Sequence, residues 1–192
     1  QKIFSNMYPS YLPEELHVSY VTNGVHYPTW CAKEWKTVHN KVFGAEFKTH
    51  HYDMGCFSGI YNISDEEIWN TRLTLKKELV RIIRERLSDP VLSSHYSPRQ
   101  IVKIKENFRD DVLTIGFARR FATYKRATLL FSDLDRLDAI VNDPQHPVQF
   151  VFAGKAHPAD GAGQDLIRQI VEISKQPRFL GKIIFVPGYD IS

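Results

Sequence analysis

An α/β fold built on a parallel sheet is what this sequence predicts, and three observations carry it. Strand-length apolar runs occur at Val112–Ala118, Val148–Ala153 and Lys182–Val186. Two segments with helical spacing separate these runs. Each run stops on a turn of basic residues or glycine: Arg119-Arg120, Gly154-Lys155 and Pro187-Gly188-Tyr189. Strands alternating with helices make a βαβαβ unit, the pattern of a doubly wound, Rossmann-like parallel sheet.

Taken in order, residues 1–30 are irregular, broken by Pro9, Pro13 and Pro28. Within them, Leu16–Val21 alternates apolar and polar and predicts a short strand, with a tight turn following at Asn23-Gly24. Spacing through Trp30, Lys33, Glu34, Trp35 and Val38 predicts one helix over 29–42. Residues 43–63, rich in Gly, His and Tyr, carry no readable period. Ser64-Asp65-Glu66-Glu67 is a capping box. The helix after it sets Ile68, Leu75, Leu79, Ile82, Ile83 and Leu87 on one face. Arg72, Lys76, Lys77, Arg81, Arg84 and Arg86 hold the other, which reads as a solvated face near acidic neighbours. Ser88-Asp89-Pro90 ends that helix, and Pro98 opens a shorter one reaching Asn107.

Beyond the first strand, a helix is expected with Lys125 in its first turn and Leu129, Leu130, Phe131, Leu134, Leu137, Ile140 and Val141 inward. Beyond the second, a helix over 163–175 turns Leu166, Ile167, Ile170 and Val171 inward. The unit stops just after its third strand, short of the usual strand count of an open sheet. The chain also opens Gln1-Lys2-Ile3, with neither an initiator Met nor a signal peptide, so an internal fragment is expected.

Composition narrows the class. Hydrophobic residues at 43% and charged residues at 24% fit a globular chain and exclude a disordered one. No stretch approaches the roughly 18 apolar residues of a membrane span. Lys and Arg, 25 in all, exceed 22 Asp and Glu by only +3, too little to argue for nucleic acid. Cys31 and Cys56 lack CxxC spacing and read as reduced thiols of a cytoplasmic protein. His50-His51-Tyr52-Asp53 with Cys56 is a poor metal set, because adjacent histidines point apart; no metal is expected. No Gly-x-Ser-x-Gly elbow, Cys–His pairing or carboxylate pair is legible, and Asp133, Asp135 and Asp138 read as the solvated side of a helix. A hydrolase therefore has little support.

In sheets of this kind, ligands gather at the carboxyl ends of the strands. Arg119-Arg120-Phe121-Ala122-Thr123-Tyr124-Lys125-Arg126 lies at the first such end. The fork of Arg120 and the ammonium of Lys125 make a phosphate clamp there. No GxGxxG follows the first strand, which argues against a dinucleotide. At the second end, Gly154 lets backbone approach a ligand, and Lys155 adds a cation; Asp160 reads as a helix cap. Near the front, the Asn23 amide can donate to and accept from a sugar hydroxyl.

Three stretches now resemble one family. Val21-Thr22-Asn23-Gly24-Val25-His26-Tyr27-Pro28-Thr29-Trp30, then Gly116 to Ala127 with the basic run above, then Phe152-Ala153-Gly154-Lys155-Ala156-His157-Pro158 are similar to the α-glucan (glycogen and maltodextrin) phosphorylases. They stand in the family's order. Arg119 and Ala122, where longer animal-type enzymes carry Lys and His, point to the shorter bacterial-type branch. The resemblance implies a two-lobed glycosyltransferase-B architecture, with 1–110 an inter-lobe segment and 111–192 the truncated start of the C-terminal lobe. It implies phosphorolysis of α-1,4-glucan by inorganic phosphate to glucose 1-phosphate, with pyridoxal phosphate as cofactor and a homodimer as the assembly. Carried over by position, Arg120 and Lys125 hold substrate phosphate, Arg119 lies near the cofactor phosphate, and Tyr124 and Asn23 contact the glucosyl unit. Gly154 and Lys155 are further loop contacts. No lysine here matches the cofactor's attachment point. Two alternatives stay open: a nucleotide-sugar glucosyltransferase on the same architecture, and a non-catalytic carbohydrate- or phosphate-binding module.

Overall fold

The computed structural model describes residues 2–12, 14–44, 46–50, 52–89 and 96–188. The chain divides into two compact units between Asp65 and Glu66. No described helix is long and apolar enough to cross a membrane.

The first unit is irregular and helical. Helices α1 (Tyr27–Trp30), α2 (Lys33–Phe43) and α3 (Phe47–His50) are followed by a 3-10 segment over Met54–Asn62, capped by Asp53, whose side chain accepts from the Gly55 amide at 2.9 Å. The strand expected over Leu16–Val21 is absent, and so is the turn at Asn23-Gly24. That stretch is extended, but a lone extended segment has no ladder to join, and the three described strands all lie in the other unit. Only Leu16 of it is buried; Tyr20 and Val21 are 90% and 97% exposed. The single helix expected over 29–42 is two, because Cys31 and Ala32 adopt extended ψ angles of 125° and 151°.

What organises the illegible stretch is a cluster of rings. Phe47 is buried and meets Tyr27, Phe43 and Phe57 at centroid distances of 5.1, 4.7 and 5.6 Å. His39 stacks on Trp35 at 5.9 Å and tilts against Phe43 at 5.3 Å. Such ring pairs add to simple area burial. Trp35, His39, Phe43 and Phe47 follow one another at four-residue spacing, while Tyr27 and Phe57 join Phe47 from further off in the sequence.

The second unit is the predicted α/β body. Strands β1 (Leu113–Ala118), β2 (Val148–Ala153) and β3 (Ile183–Val186) form a parallel sheet in that order, with Leu113 opposite Val148 and Phe150 opposite Ile183. Helix α4 (Asp65–Arg86) and α5 (Pro98–Asn107) precede the sheet; α6 (Leu134–Val141) and α7 (Gly161–Ser174) are the crossovers. Alternation along β2 explains the layering. Phe150 and Phe152 face Leu137, Val141, Ile170 and Ile173, while Val151 faces Val80, Ile83 and Ile104. Helices thus cover both faces. Leu113 and Ile115 of the edge strand stay 61% and 44% exposed.

Three details depart from expectation. On α4 the buried residues are Val80 and Ile83, continued by Leu87, whereas Leu79 and Ile82 are exposed. Ile83 and Leu87 are thus buried as the sequence suggests, with Val80 joining them in place of Leu79 and Ile82. The helix expected after β1 is broken into 3-10 turns at Thr123–Lys125 and Leu129–Phe131, and α6 begins only at Leu134. Leu129 and Ile140, expected inward, are exposed, while Phe131, Leu137 and Val141 are buried as expected. The last expected turns include Pro90 and Tyr189, which lie outside the described residues, as do Pro13 and His51.

Polar contacts fix the frame. Ser97 and Gln100 form a reciprocal capping box at the start of α5, the Gln100 side chain accepting from the Ser97 amide at 2.8 Å. Gln149, fully buried in β2, donates to the Arg109 carbonyl at 2.6 Å and to Thr114 Oγ1 at 2.8 Å, and accepts from the Arg109 amide at 3.1 Å. It locks the α5–β1 connection onto the central strand.

Candidate functional site

The carboxyl edge of the sheet is built from the loops that follow β1 and β2. Pairing does not stop where the strands do. The Arg119 amide donates to the Ala153 carbonyl at 3.1 Å, the Phe121 amide donates to the Lys155 carbonyl at 3.0 Å, and Phe121 bridges Ala156 in parallel. The register of β1 with β2 therefore continues through both loops, which sets Arg120 beside Lys155. Phe121 anchors this extension: it is completely buried, 5.5 Å from the Phe117 ring and 5.8 Å from that of Phe185. Burying such a side chain contributes about 1.5–3 kcal/mol.

After Phe121 the chain makes the short turn Thr123–Lys125 and leaves it through Arg126, at φ 52° and ψ 40°. Arg126 is the one described non-glycine residue with positive φ. A left-handed residue at this place ends a helical turn, which is why Lys125 does not begin a long helix. The expected helix N-terminus at the clamp is therefore missing, and the side chains alone supply positive charge. The Lys125 ammonium lies over the Tyr124 ring, 4.7 Å from its centroid. Tyr124 itself is 75% exposed.

Compensation by acids separates this edge from other basic surface. Arg81 sits between Glu78 and Glu85, each 2.5 Å away; Arg178 pairs with Asp135 at 2.8 Å; Arg109 and Arg168 pair with Asp111 and Asp165. Among the described residues, no carboxylate pairs with Arg119, Arg120, Lys125, Arg126 or Lys155. Asp160, the acid nearest in sequence to Lys155, is occupied as the α7 cap, accepting from the Gly163 amide at 2.9 Å. His157 Nδ1 accepts from the Ala159 amide at 3.1 Å, which leaves the proton of the neutral ring on Nε2. Arg119, Arg120 and Lys155 at two adjacent loop starts, and Lys125 and Arg126 in the turn that follows, are thus cations without acidic partners among the described residues.

Of the residues singled out in the sequence, the structure brings Arg119 and Arg120 beside Gly154 and Lys155 at the ends of β1 and β2, and places Tyr124 and Lys125 in the short turn that follows Phe121. Asn23 lies in the first unit, exposed, in the extended run before α1. The sequence reading passed over Phe121 and Gly163. Phe121 is the large apolar residue inside a basic run, and Gly163 follows the capping Asp160 by three residues; both were visible signals. It also found no Cys–His pairing, whereas the structure sets Cys31 Sγ 3.8 Å from His39 Nδ1, with Tyr27 Oη 3.0 Å from the same nitrogen. Burial lowers the His39 pKa, and burial together with Cys31 pushes the Tyr27 hydroxyl up to about 12. This grouping is a neutral, packed one.

No protein-family model matches the chain. Curated proteins do. It is 40% identical over 192 residues to a glycogen phosphorylase of Aquifex aeolicus, covering 99% of this chain and 28% of that protein. It is 38% identical over 181 residues to a maltodextrin phosphorylase of Thermococcus litoralis, covering 93% of this chain and 21% of that one. A glycogen phosphorylase of Mycobacterium tuberculosis is 35% identical over 190 residues, with 99% and 22% covered. The chain thus spans between a fifth and three tenths of the relatives it matches. Along nearly its whole length it is homologous to one segment of the glycogen and maltodextrin phosphorylases, and it belongs to that family.

Proposed function

We propose that this chain is the phosphate-holding segment of an α-1,4-glucan phosphorylase, which in its full-length form converts glucan and inorganic phosphate to glucose 1-phosphate. The observation that carries this reading is the uncompensated cationic edge at the ends of β1 and β2, formed by the stretch that resembles the family most specifically. Arg120 presents a planar fork, and Lys125, held on the Tyr124 ring, presents a point charge; together they hold the substrate phosphate. Lys155, in register with Arg120, adds to the same field. Cleavage of a glucosidic bond by phosphate passes through an oxocarbenium-like sugar beside a phosphate dianion. Cations fixed in advance keep that dianion placed and ionised as positive charge develops on the sugar. The lack of acidic partners at this edge suits the task, since a neighbouring carboxylate would repel the dianion.

The exposed guanidinium of Arg119, without an acidic partner among the described residues, fits the phosphate group of pyridoxal phosphate. When bound, that group supplies proton transfer through its phosphate rather than its ring; its attachment lysine is not assigned to this chain. Tyr124 and Asn23 contact hydroxyls of the glucosyl unit. The same reading makes 1–110 an inter-lobe segment and 111–192 the first part of the C-terminal lobe of a cytoplasmic, homodimeric enzyme with a glycosyltransferase-B fold.

The test is glucose 1-phosphate release from maltodextrin by the full-length protein, with phosphate and pyridoxal phosphate each supplied or withheld. Release that requires both supports the reading. A folded, cofactor-loaded protein that releases none, and instead consumes UDP-glucose or ADP-glucose, would make it a sugar-nucleotide glucosyltransferase.

A further inference from the structure

We infer that Gly154 and Gly163 are positioning residues for the phosphate clamp: their missing side chains make room for the Arg119 and Phe121 carbonyls, one on each side of Arg120. The inference rests on the phosphorylase reading for the identity of the anion and on geometry for the rest. Arg120 is exposed, yet the backbone on either side of it is held at four points. Two are the amide hydrogen bonds already described, from Arg119 to Ala153 and from Phe121 to Lys155. The other two are close approaches of carbonyl oxygens to glycines. A Cβ on Gly154 would overlap the Arg119 carbonyl oxygen outright and stand 2.9 Å from Phe121 Cε2. Gly154 also has φ +155°, a conformation side-chain-bearing residues rarely adopt. A Cβ on Gly163 would lie 2.7 Å from the Phe121 carbonyl oxygen and 3.1 Å from Ala156 Cβ.

The two glycines come from different places, one at the end of β2 and one in the first turn of α7, and they press on the carbonyls of Arg119 and Phe121, one residue to either side of Arg120. Between them Arg120 has no freedom to shift along the sheet edge, although its side chain remains open to solvent. A cation on a fixed backbone gives up less freedom when it meets its ligand than one on a loose loop does. Neither glycine touches the ligand in this account, so both act through Arg119–Phe121. Gly181, packed against Asn107 and Ile104, is also tight but lies away from the basic segment, whereas Gly116, within β1, has nothing within 4 Å of its would-be Cβ.

The experiment compares Gly154→Ala, Gly163→Ala, Gly116→Ala and Arg120→Ala in the full-length protein with its cofactor. Two readouts are taken: the KM values for phosphate and for glucan, and calorimetric binding of inorganic phosphate, with thermal melting as the folding check. Expected are a KM and Kd for phosphate raised about tenfold to a hundredfold in Gly154→Ala, and less in Gly163→Ala, with KM for glucan unchanged and Gly116→Ala like wild type. If Gly154→Ala does not fold, Gly163→Ala decides. Folded glycine variants that bind phosphate like wild type, while Arg120→Ala does not, overturn the inference and leave the clamp standing. If both variants unfold, the inference is likewise overturned, because the glycines then serve the fold. If the wild type binds phosphate without phosphorolysis, the reaction reading fails and the glycines are judged on phosphate binding alone. A wild type that binds no phosphate ends both.

Discussion

The basic face of α4 and the basic edge beyond β1 look alike in the sequence, and the structure treats them in opposite ways. On α4, Arg81 is clasped by Glu78 and Glu85, Arg84 donates to the Phe108 carbonyl at 2.8 Å, and Arg86 reaches the Pro187 carbonyl at 3.3 Å. These arginines are answered from within the fold. At the sheet edge, Arg119, Arg120, Lys125, Arg126 and Lys155 lack acidic partners among the described residues. A count of cations cannot tell a structural surface from a binding surface; the whereabouts of the compensating groups can.

The comparison breaks or sharpens under substitution. The largest effect is expected for Arg120→Ala or Lys125→Ala in the full-length protein: a loss of phosphorolysis of about a hundredfold to a thousandfold, with melting unchanged. Gly154→Ala, argued above, follows through phosphate rather than glucan. Next comes Gln149→Leu, which removes from the sheet the buried amide that holds the Arg109 amide and carbonyl. A destabilisation of about 1–3 kcal/mol in chemical denaturation is expected, from a residue with no charge at all. Arg81→Ala should lie at the bottom of the scale, with phosphorolysis within about twofold of wild type and melting nearly unchanged, because both its acid partners are exposed.

One further prediction concerns the first unit. Burial lowers the His39 pKa, so as pH falls below the ordinary value of 6.5 the unfolded chain takes up the proton first. The His39 contribution is therefore present above that value and is lost as pH falls through the lower, folded one. Trp fluorescence melts at pH 7.5 and 5.5 should show a smaller acid-induced drop in His39→Phe than in the unmodified chain; an equal drop would show that His39 is not the group responsible.

Legibility followed the range of the interactions. The three strands of the second unit appear where their apolar runs lie, and α5 and α7 appear within two residues of where their spacing places them, because period and burial on both sheet faces are local signals. In the ring cluster around Phe47 and His39, the four-residue spacing of Trp35, His39, Phe43 and Phe47 was a local signal, whereas Tyr27 and Phe57 meet Phe47 only after folding. The supposed strand at 16–21 shows the reverse: alternation was present, but no neighbouring strand was. At the candidate site, the basic run and the Gly154-Lys155 loop start were both readable in the sequence. It did not reveal that Phe121 continues the sheet past its strands, or that Arg126 turns left-handed and breaks the helix. The first of these depends on pairing between segments about 35 residues apart, a non-local match that local pattern does not carry.

The most direct test of the central claim sets the two basic regions against each other in one assay. Phosphate-dependent release of glucose 1-phosphate is measured for the full-length protein and for its Arg120→Ala and Arg81→Ala variants. Loss in Arg120→Ala with retention in Arg81→Ala is the predicted result. Equal activity in the two variants would contradict the assignment of the uncompensated edge as the place where phosphate is held.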